Sequence, residues 1–328
     1  MLTRLTFRQL EYCLAAGEFG SIAEAAERIH VSPSSISAAV TQVESELSAT
    51  LFVRHHGQGL SLTPVGVDVL RQIRQLLDQA ASLYDVAKSS QTAVRGPLRV
   101  GCFTTLAAMV APELCQGFAG AHPGVDVTQV EDHHEGLIER LRHAQIDVAI
   151  TYDLNVAEAD IAFEPLASLP PYVIISEGDP LASREVVAIQ ELASRPMVLL
   201  DLPLSRDYFL SLFRESSVAP MVSARSASPD VVRSLVANGV GYSLVNVRPR
   251  AGNSLDGKRV INVQLEGSHR PMQLGLAWLK EQKARRVVEA FMDRCRAIIS
   301  NEYIPGMTAP GKSGRVSGRR SNRSVAKA

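Results

Sequence analysis

Two helix starts stand eleven residues apart near the N-terminus, leaving room for one short helix and one tight turn. Ser21 offers an N-cap with Glu24 three residues later, the pattern of a capping box. The helix Ile22–Ile29 follows, with Ala25, Ala26 and Ile29 turned inward and the alanines small enough for another helix to approach closely. His30 and Val31 make the turn. Ser32 then caps a longer helix, and Pro33 takes its first position, where a missing N–H costs nothing. That helix runs to about Leu47 with Ile36, Val40, Val43 and Leu47 inside. An earlier helix, Thr6 to Gly17, places Phe7, Leu10, Cys13 and Leu14 on one face. A short helix, a turn and a longer capped helix form a helix-turn-helix, whose second helix would lie in a DNA major groove. A plain helical bundle with a solvated polar face fits the same spacing.

The outward positions of the longer helix are small and polar rather than charged. Ser32, Ser34, Ser35, Ser37, Thr41 and Gln42 are the candidate DNA-contacting residues. Hydroxyls meet donors or acceptors on bases, and glutamine can bond adenine with two hydrogen bonds. Leu51–Val53, a glycine turn at Gly57–Gly59 and Leu60–Leu62 read as a hairpin, the wing. On it Arg54 is placed to meet a phosphate and His55 stands beside it. The His55–His56 pair has no further cysteine or histidine at metal-ligand spacing. Charge argues against strong non-specific DNA binding: residues 1–65 hold four arginines against six glutamates. Tight binding would need dimerisation, helix N-termini aimed at phosphates or the basic C-terminal tail.

Thr63-Pro64 starts another helix. Val69, Ile73, Leu76, Ala80, Leu83 and Ala87 then alternate gaps of four and three, a heptad seam expected to pair two chains through residues 63–92. Gln91 to Pro97 reads as a hinge.

The stretch from Phe19 to Gly66 resembles the LysR-type transcriptional regulators. It carries the alanine pair Ala25-Ala26, the serines at 32–37, Val43-Glu44-x-x-Leu47, Leu51-Phe52-x-Arg54 and Leu62-Thr63-x-x-Gly66. The resemblance extends over about residues 5–296. Two positions depart from it: Ala38 stands where the family often has Arg or Lys, which leaves one phosphate or base contact of the family without its usual residue, and Ser48 stands where Gly is usual. The resemblance implies a winged helix-turn-helix (residues 1–62, the motif itself at 21–42) joined by the linker helix to a two-lobed α/β effector domain like the periplasmic solute-binding proteins. It also implies homodimers that pair into homotetramers, with RNA polymerase as a further candidate partner.

The residues from Leu98 onward support the α/β reading directly. Strands Leu98–Cys102, Val125–Val130 and Ile146–Thr151 alternate with helices Thr104–Ala121 and His134–His143, which suggests a mainly parallel sheet. A second lobe is expected from 166 to 268, with strands Tyr172–Ser176, Met197–Leu200 and Gly241–Val245 and helices Arg206–Ser216 and Asp230–Asn238. The chain would return to the first lobe (96–165) over 269–300, giving an effector domain of 93–305.

Ligands of such sheets bind beyond the carboxyl ends of the strands. This singles out Thr104, Thr105, Tyr152, Asp153, Asp201, Ser228 and Asn246 as candidate effector residues. Hydroxyls and free N–H groups at Thr104 and Thr105 suit a carboxylate, and the family places a Ser or Thr there. Asp153 and Asp201 would suit a ligand that also carries an amine, such as an amino acid. Each of these residues could equally be a cap with a local hydrogen bond.

Other classes are disfavoured. The chain shows no GxSxG, GxGxxG, P-loop or HExxH motif, so neither enzyme nor cofactor is expected. His133-His134 sits at a loop-to-helix junction, where capping or solvation is expected. The four cysteines lack metal spacing and fall in apolar patterns, so they are expected as buried thiols. Arg4, Arg8 and Glu11 interrupt any early leader, and no apolar run is long enough to span a bilayer, which points to the cytoplasm and away from an exported solute-binding protein. Residues 306–328 carry six basic and no acidic residues, the composition of a disordered tail.

Overall fold

The computed structural model describes residues 4–55, 59–88, 94–154, 160–280, 285–299 and 303–304, with side chains left aside at 82–88. The basic tail, most of the wing turn, the last side chains of the heptad seam and residues 91–93 of the hinge therefore lie outside the described residues.

Helix α1 (Phe7–Phe19) begins at Thr6, which accepts a hydrogen bond from the Gln9 N–H while the Gln9 side chain returns to the Thr6 N–H. The capping box thus sits here. At α2 (Ile22–Arg28) Ser21 accepts from Glu24 at 3.4 Å, and no return bond from the Glu24 side chain is found among the described residues. Ser32 caps α3 (Pro33–Leu47) as expected. The helix ends at Ser48 in the left-handed conformation, φ 50°. That explains the family's glycine: a Cβ there costs about 1 kcal/mol. Leu10, Cys13, Ala25, Ala26, Ile36, Val40 and Val43 close the core of this head.

The remaining motif residues hold the wing. Glu44 reaches from α3 to accept the N–H groups of Leu51 (2.7 Å) and Phe52 (3.1 Å), which fixes where β1 (Phe52–His55) leaves the core. β2 (Gly59–Leu62) pairs with it antiparallel. The Leu60 N–H donates to Gly20 O at 2.6 Å, so the wing is bonded to the turn before α2. Thr63 donates through its hydroxyl to Thr50 O and accepts from the Gly66 N–H, starting α4 (Pro64–Lys88).

Helix α4 divides its apolar residues. Leu70 and Ile73 are buried in the head of the same chain, with Val69 and Leu77 packed beside them. Ile73 is therefore a core residue in cis, and of the seam's described side chains only Leu76 stands exposed. The heptad spacing arises partly from packing against α1.

The effector domain begins with β3 (Gly96–Phe103), so Gly96 and Pro97 belong to a strand rather than the hinge. Helix α5 (Thr104–Ala111) continues through a π-helical turn (Pro112–Gln116) into α6 (Gly117–Ala121). Next come β4 (Val125–Asp132), α7 (His134–Arg142), β5 (Val148–Tyr152) and β6 (Ile161–Leu169). The second lobe holds β7 (Tyr172–Ser176), β8 (Val186–Val187), α8 (Ile189–Ala193), β9 (Pro196–Leu200), α9 (Ser205–Glu215), β10 (Met221–Ser226), α10 (Pro229–Ala237), β11 (Ser243–Val245) and β12 (Val260–Leu265). β13 (Met272–Leu279) and α11 (Arg286–Ile298) return to the first lobe.

The first sheet has the order β4-β3-β5-β13-β6. β3 runs parallel to β4 and β5, but β13 is antiparallel to both β5 and β6. In the second lobe β7 pairs antiparallel with β11 and β12, while β9 and β10 are parallel. The sheets are mixed rather than mainly parallel, because the chain crosses between lobes and returns. β6 stays paired with β13 through Leu169, so the first crossing follows Leu169 and not Pro165. Cys102, Cys115 and Cys295 are buried in this domain and Cys13 in the head, all as free thiols. Burial pushes Cys115 up to about 11 and Cys13 and Cys295 up to about 12, too high for ready thiolate chemistry.

Candidate functional site

On the head, α3 turns Ser32, Ser34, Thr41 and Gln42 to solvent, with Ser35 and Ser37 half-buried. The serine hydroxyls at its start bond one another: Ser32 Oγ lies 2.8 Å from both Ser34 Oγ and Ser35 Oγ. Thr41 donates to Ser37 O (3.0 Å) and Gln42 to Glu46 Oε1 (3.1 Å). These are internal partners that water or a base edge can exchange. Arg54 and His55 project from β1 on the wing, His55 with its ring 2.8 Å from Ser61 Oγ. The candidates for DNA contact thus lie at the start and along the exposed face of α3 and on the adjoining wing.

In the effector domain, Thr104 and Thr105 are the first residues of α5, and among the described residues no side chain caps its start at Phe103. The N–H groups of that turn remain available, with the positive end of the helix dipole behind them. Thr105 Oγ1 lies 3.1 Å from the Tyr152 hydroxyl at the end of β5. Burial pushes the Tyr152 phenol well up, against hydrogen bonds from Thr105 and Asn246 that pull it back. Asn246, just past β11, donates to Met272 Sδ at 2.8 Å. Thr105, Tyr152 and Asn246 thereby meet where the lobes join, although 47 and 94 residues separate them in sequence.

The other candidates are engaged elsewhere. Asp153 accepts from the Gln273 N–H (2.9 Å) and pairs with Arg270 (2.8 Å). Asp201 faces Arg206 at 3.2 Å and Arg225 at 3.5 Å. Ser228 caps α10 by accepting from the Val231 N–H, and its own N–H donates to Ser226 Oγ at 3.1 Å. The two carboxylates considered for an amine already carry arginine partners. Nothing local in the sequence pairs Asp153 with a residue 117 positions away.

Sequence reasoning missed His134. It is neither capping nor solvated but 3% exposed, its Nδ1 3.0 Å from the buried Thr151 hydroxyl. Burial pushes its imidazole from 6.5 down to about 4; the charge of Asp153 opposes this and that of His133 adds to it. The unfolded chain therefore takes up a proton between about pH 6.5 and pH 4 that the folded chain refuses. The stability this neutral histidine allows is present above that window and lost as the pH falls through it. The thermal midpoint of the effector domain is expected to drop between about pH 7 and pH 5, and His134→Asn to flatten that drop. An unchanged pH slope in the variant would refute the assignment.

Comparison with known proteins follows this division. Residues 91–299 match the model of the LysR substrate binding domain, and residues 7–67 match the model of the bacterial regulatory helix-turn-helix protein, lysR family. The chain is 29% identical over 248 residues to the HTH-type transcriptional regulator CfxR of Cupriavidus necator, covering 75% of this chain and 77% of that protein. It is 33% identical to HinK, a LysR family transcriptional regulator from Pseudomonas aeruginosa whose crystal structure superposes with a TM-score of 0.61, covering 90% of this chain and 99% of the other. Full-length CbnR in complex with its target DNA shares the fold at 22% identity and a TM-score of 0.53, over 89% of this chain and 99% of CbnR.

Proposed function

The chain belongs to the LysR family of transcriptional regulators, with a helix-turn-helix DNA-binding module and an effector-binding domain, and from that premise we propose that its effector is a small carboxylate-bearing metabolite. The observation that carries this reading is the uncapped start of α5 beside the Thr105–Tyr152–Asn246 junction. A carboxylate there would accept from backbone N–H groups and two threonine hydroxyls. A ligand that also needed an acidic partner would have to displace an arginine from Asp153 or Asp201. Simple carboxylates should therefore stabilise the full chain in a thermal-shift panel and primary amines should not, with Thr105→Val abolishing the response. Stabilisation by amines alone would contradict the reading.

Ser34, Thr41, Gln42 and the half-buried Ser35 and Ser37 read base edges in this proposal, Ser32 sets the helix start, and Arg54 and His55 approach the backbone. The chain works as a homo-oligomer, paired through residues 63–92 with Leu76 on the shared face. It acts in the cytoplasm and binds its ligand without chemical conversion. Among the described residues no helix is long and apolar enough to cross a membrane. Binding duplexes selected from a random pool should show two half-sites about one helical turn or a multiple apart. Gln42→Ala should cost about 1–3 kcal/mol at one base position, whereas Arg54→Ala should weaken all sequences alike and lower the salt slope by about one. Equal losses across all sequences for both variants would remove Gln42 from the reading surface.

A further inference from the structure

Ion pairs run in series from the head to the centre of the first lobe. Glu18 on α1 pairs with Arg74 on α4 at 2.6 Å, and the Arg74 side chain is almost buried. One turn along the same face of α4, Asp78 receives both terminal nitrogens of Arg99 on β3, at 3.0 and 3.2 Å. The backbone N–H of Arg99 donates to Asp147 at 2.7 Å, and Asp147 lies 2.8 Å from Arg285 at the start of α11.

The central pair is unlike a surface salt bridge. Side-chain exposure is 23% at Arg99 and 12% at Asp78. Burial would lower the pKa of Arg99, yet the hydrogen bonds and charge of Asp78, with Asp147 and Glu18 behind them, hold it above the ordinary arginine value. A forked, largely desolvated arginine–carboxylate pair fixes orientation as well as distance. Losing one partner strands the other charge away from water.

β3 gives this contact its reach. Arg99 lies midway along it, and the strand ends at Phe103, directly before Thr104 and Thr105. Five residues of extended chain span roughly 16 Å. β3 is hydrogen-bonded on both sides, to β4 and β5, so it moves as part of a sheet.

We infer that the Asp78–Arg99 pair is an intramolecular latch through which the first lobe sets the orientation of the DNA-reading head, with β3 as the stiff element between latch and effector cleft. The inference uses the functional reading only to name its two ends. Its test needs neither DNA nor effector, so the failure of one is distinguishable from the failure of the other.

The test is the distance distribution between spin labels on the full chain, at Glu27→Cys on the head and Asp126→Cys on the first lobe. The four native thiols are buried and leave the introduced ones to be labelled selectively. Excess unlabelled protein keeps distances within one chain. Asp78→Asn and Arg99→Gln are each expected to broaden the distribution about two-fold, and the double variant to be no broader than either, as for two residues acting through one contact. Arg99→Lys, which keeps charge without the fork, serves if Arg99→Gln folds poorly and should also broaden it. Broadening in neither variant, in only one, or additively in the double variant would overturn the latch.

Discussion

Gly66→Ala is expected to cost the head most of its stability and abolish DNA retention, while the thermal transition of the effector domain stays where it is. A Cβ at Gly66 would stand 2.1 Å from Leu51 O, 2.9 Å from Leu51 C and 3.1 Å from Leu51 Cα. All three are backbone atoms, so no rotamer change relieves the clash. The same carbonyl also accepts from the Thr63 N–H at 3.0 Å. Moving it away would break the joint between α4 and β1. Such a clash belongs to the severe class of single substitutions, more than about 3 kcal/mol. Calorimetry of the full chain, with DNA retention measured alongside, checks it. DNA affinity within two-fold of the parent would mean that α4 can shift freely.

Asp147→Ala should produce the largest loss in the effector domain. The Asp147 side chain is 4% exposed and is shared between the Arg99 N–H and the Arg285 guanidinium. Truncation leaves a buried N–H unpaired and a largely buried cation uncompensated, a loss of about 3–5 kcal/mol. For a domain of this size that corresponds to a midpoint about 10 °C lower. Asp147→Asn keeps an acceptor for Arg99 and should fall between. Arg184→Ala at the exposed Arg184–Glu191 pair should leave the midpoint unchanged. Equal, small shifts in Asp147→Ala and Arg184→Ala would show that the buried pair holds nothing together.

The reading head was legible because its determinants are local. Thr6 with Gln9, Ser32 with Ser35 and Thr63 with Gly66 each join residues three apart. Apolar spacing then chose the inner faces of α1, α2 and α3. Where two local patterns competed, the sequence was ambiguous: Ser21 and Glu24 have the spacing of a capping box, yet the reciprocal bond forms at Thr6 and Gln9 instead. The heptad spacing of α4 likewise did not say that the head itself would take Ile73.

The cleft divides the same way. Strand ends and helix starts made Thr104, Thr105 and Tyr152 candidates from sequence alone, and Thr105 and Tyr152 do meet. Only the tertiary structure decided which of the candidate polar groups are already paired. Asp153 is held by Arg270, Asp201 by two arginines, and His134 by Thr151 in a buried site. Caps and amphipathic faces follow from backbone geometry repeating every three to four residues, so the chain itself writes them down. Partners a hundred residues apart depend on strand order and on where the chain crosses between lobes, and no local pattern carries that.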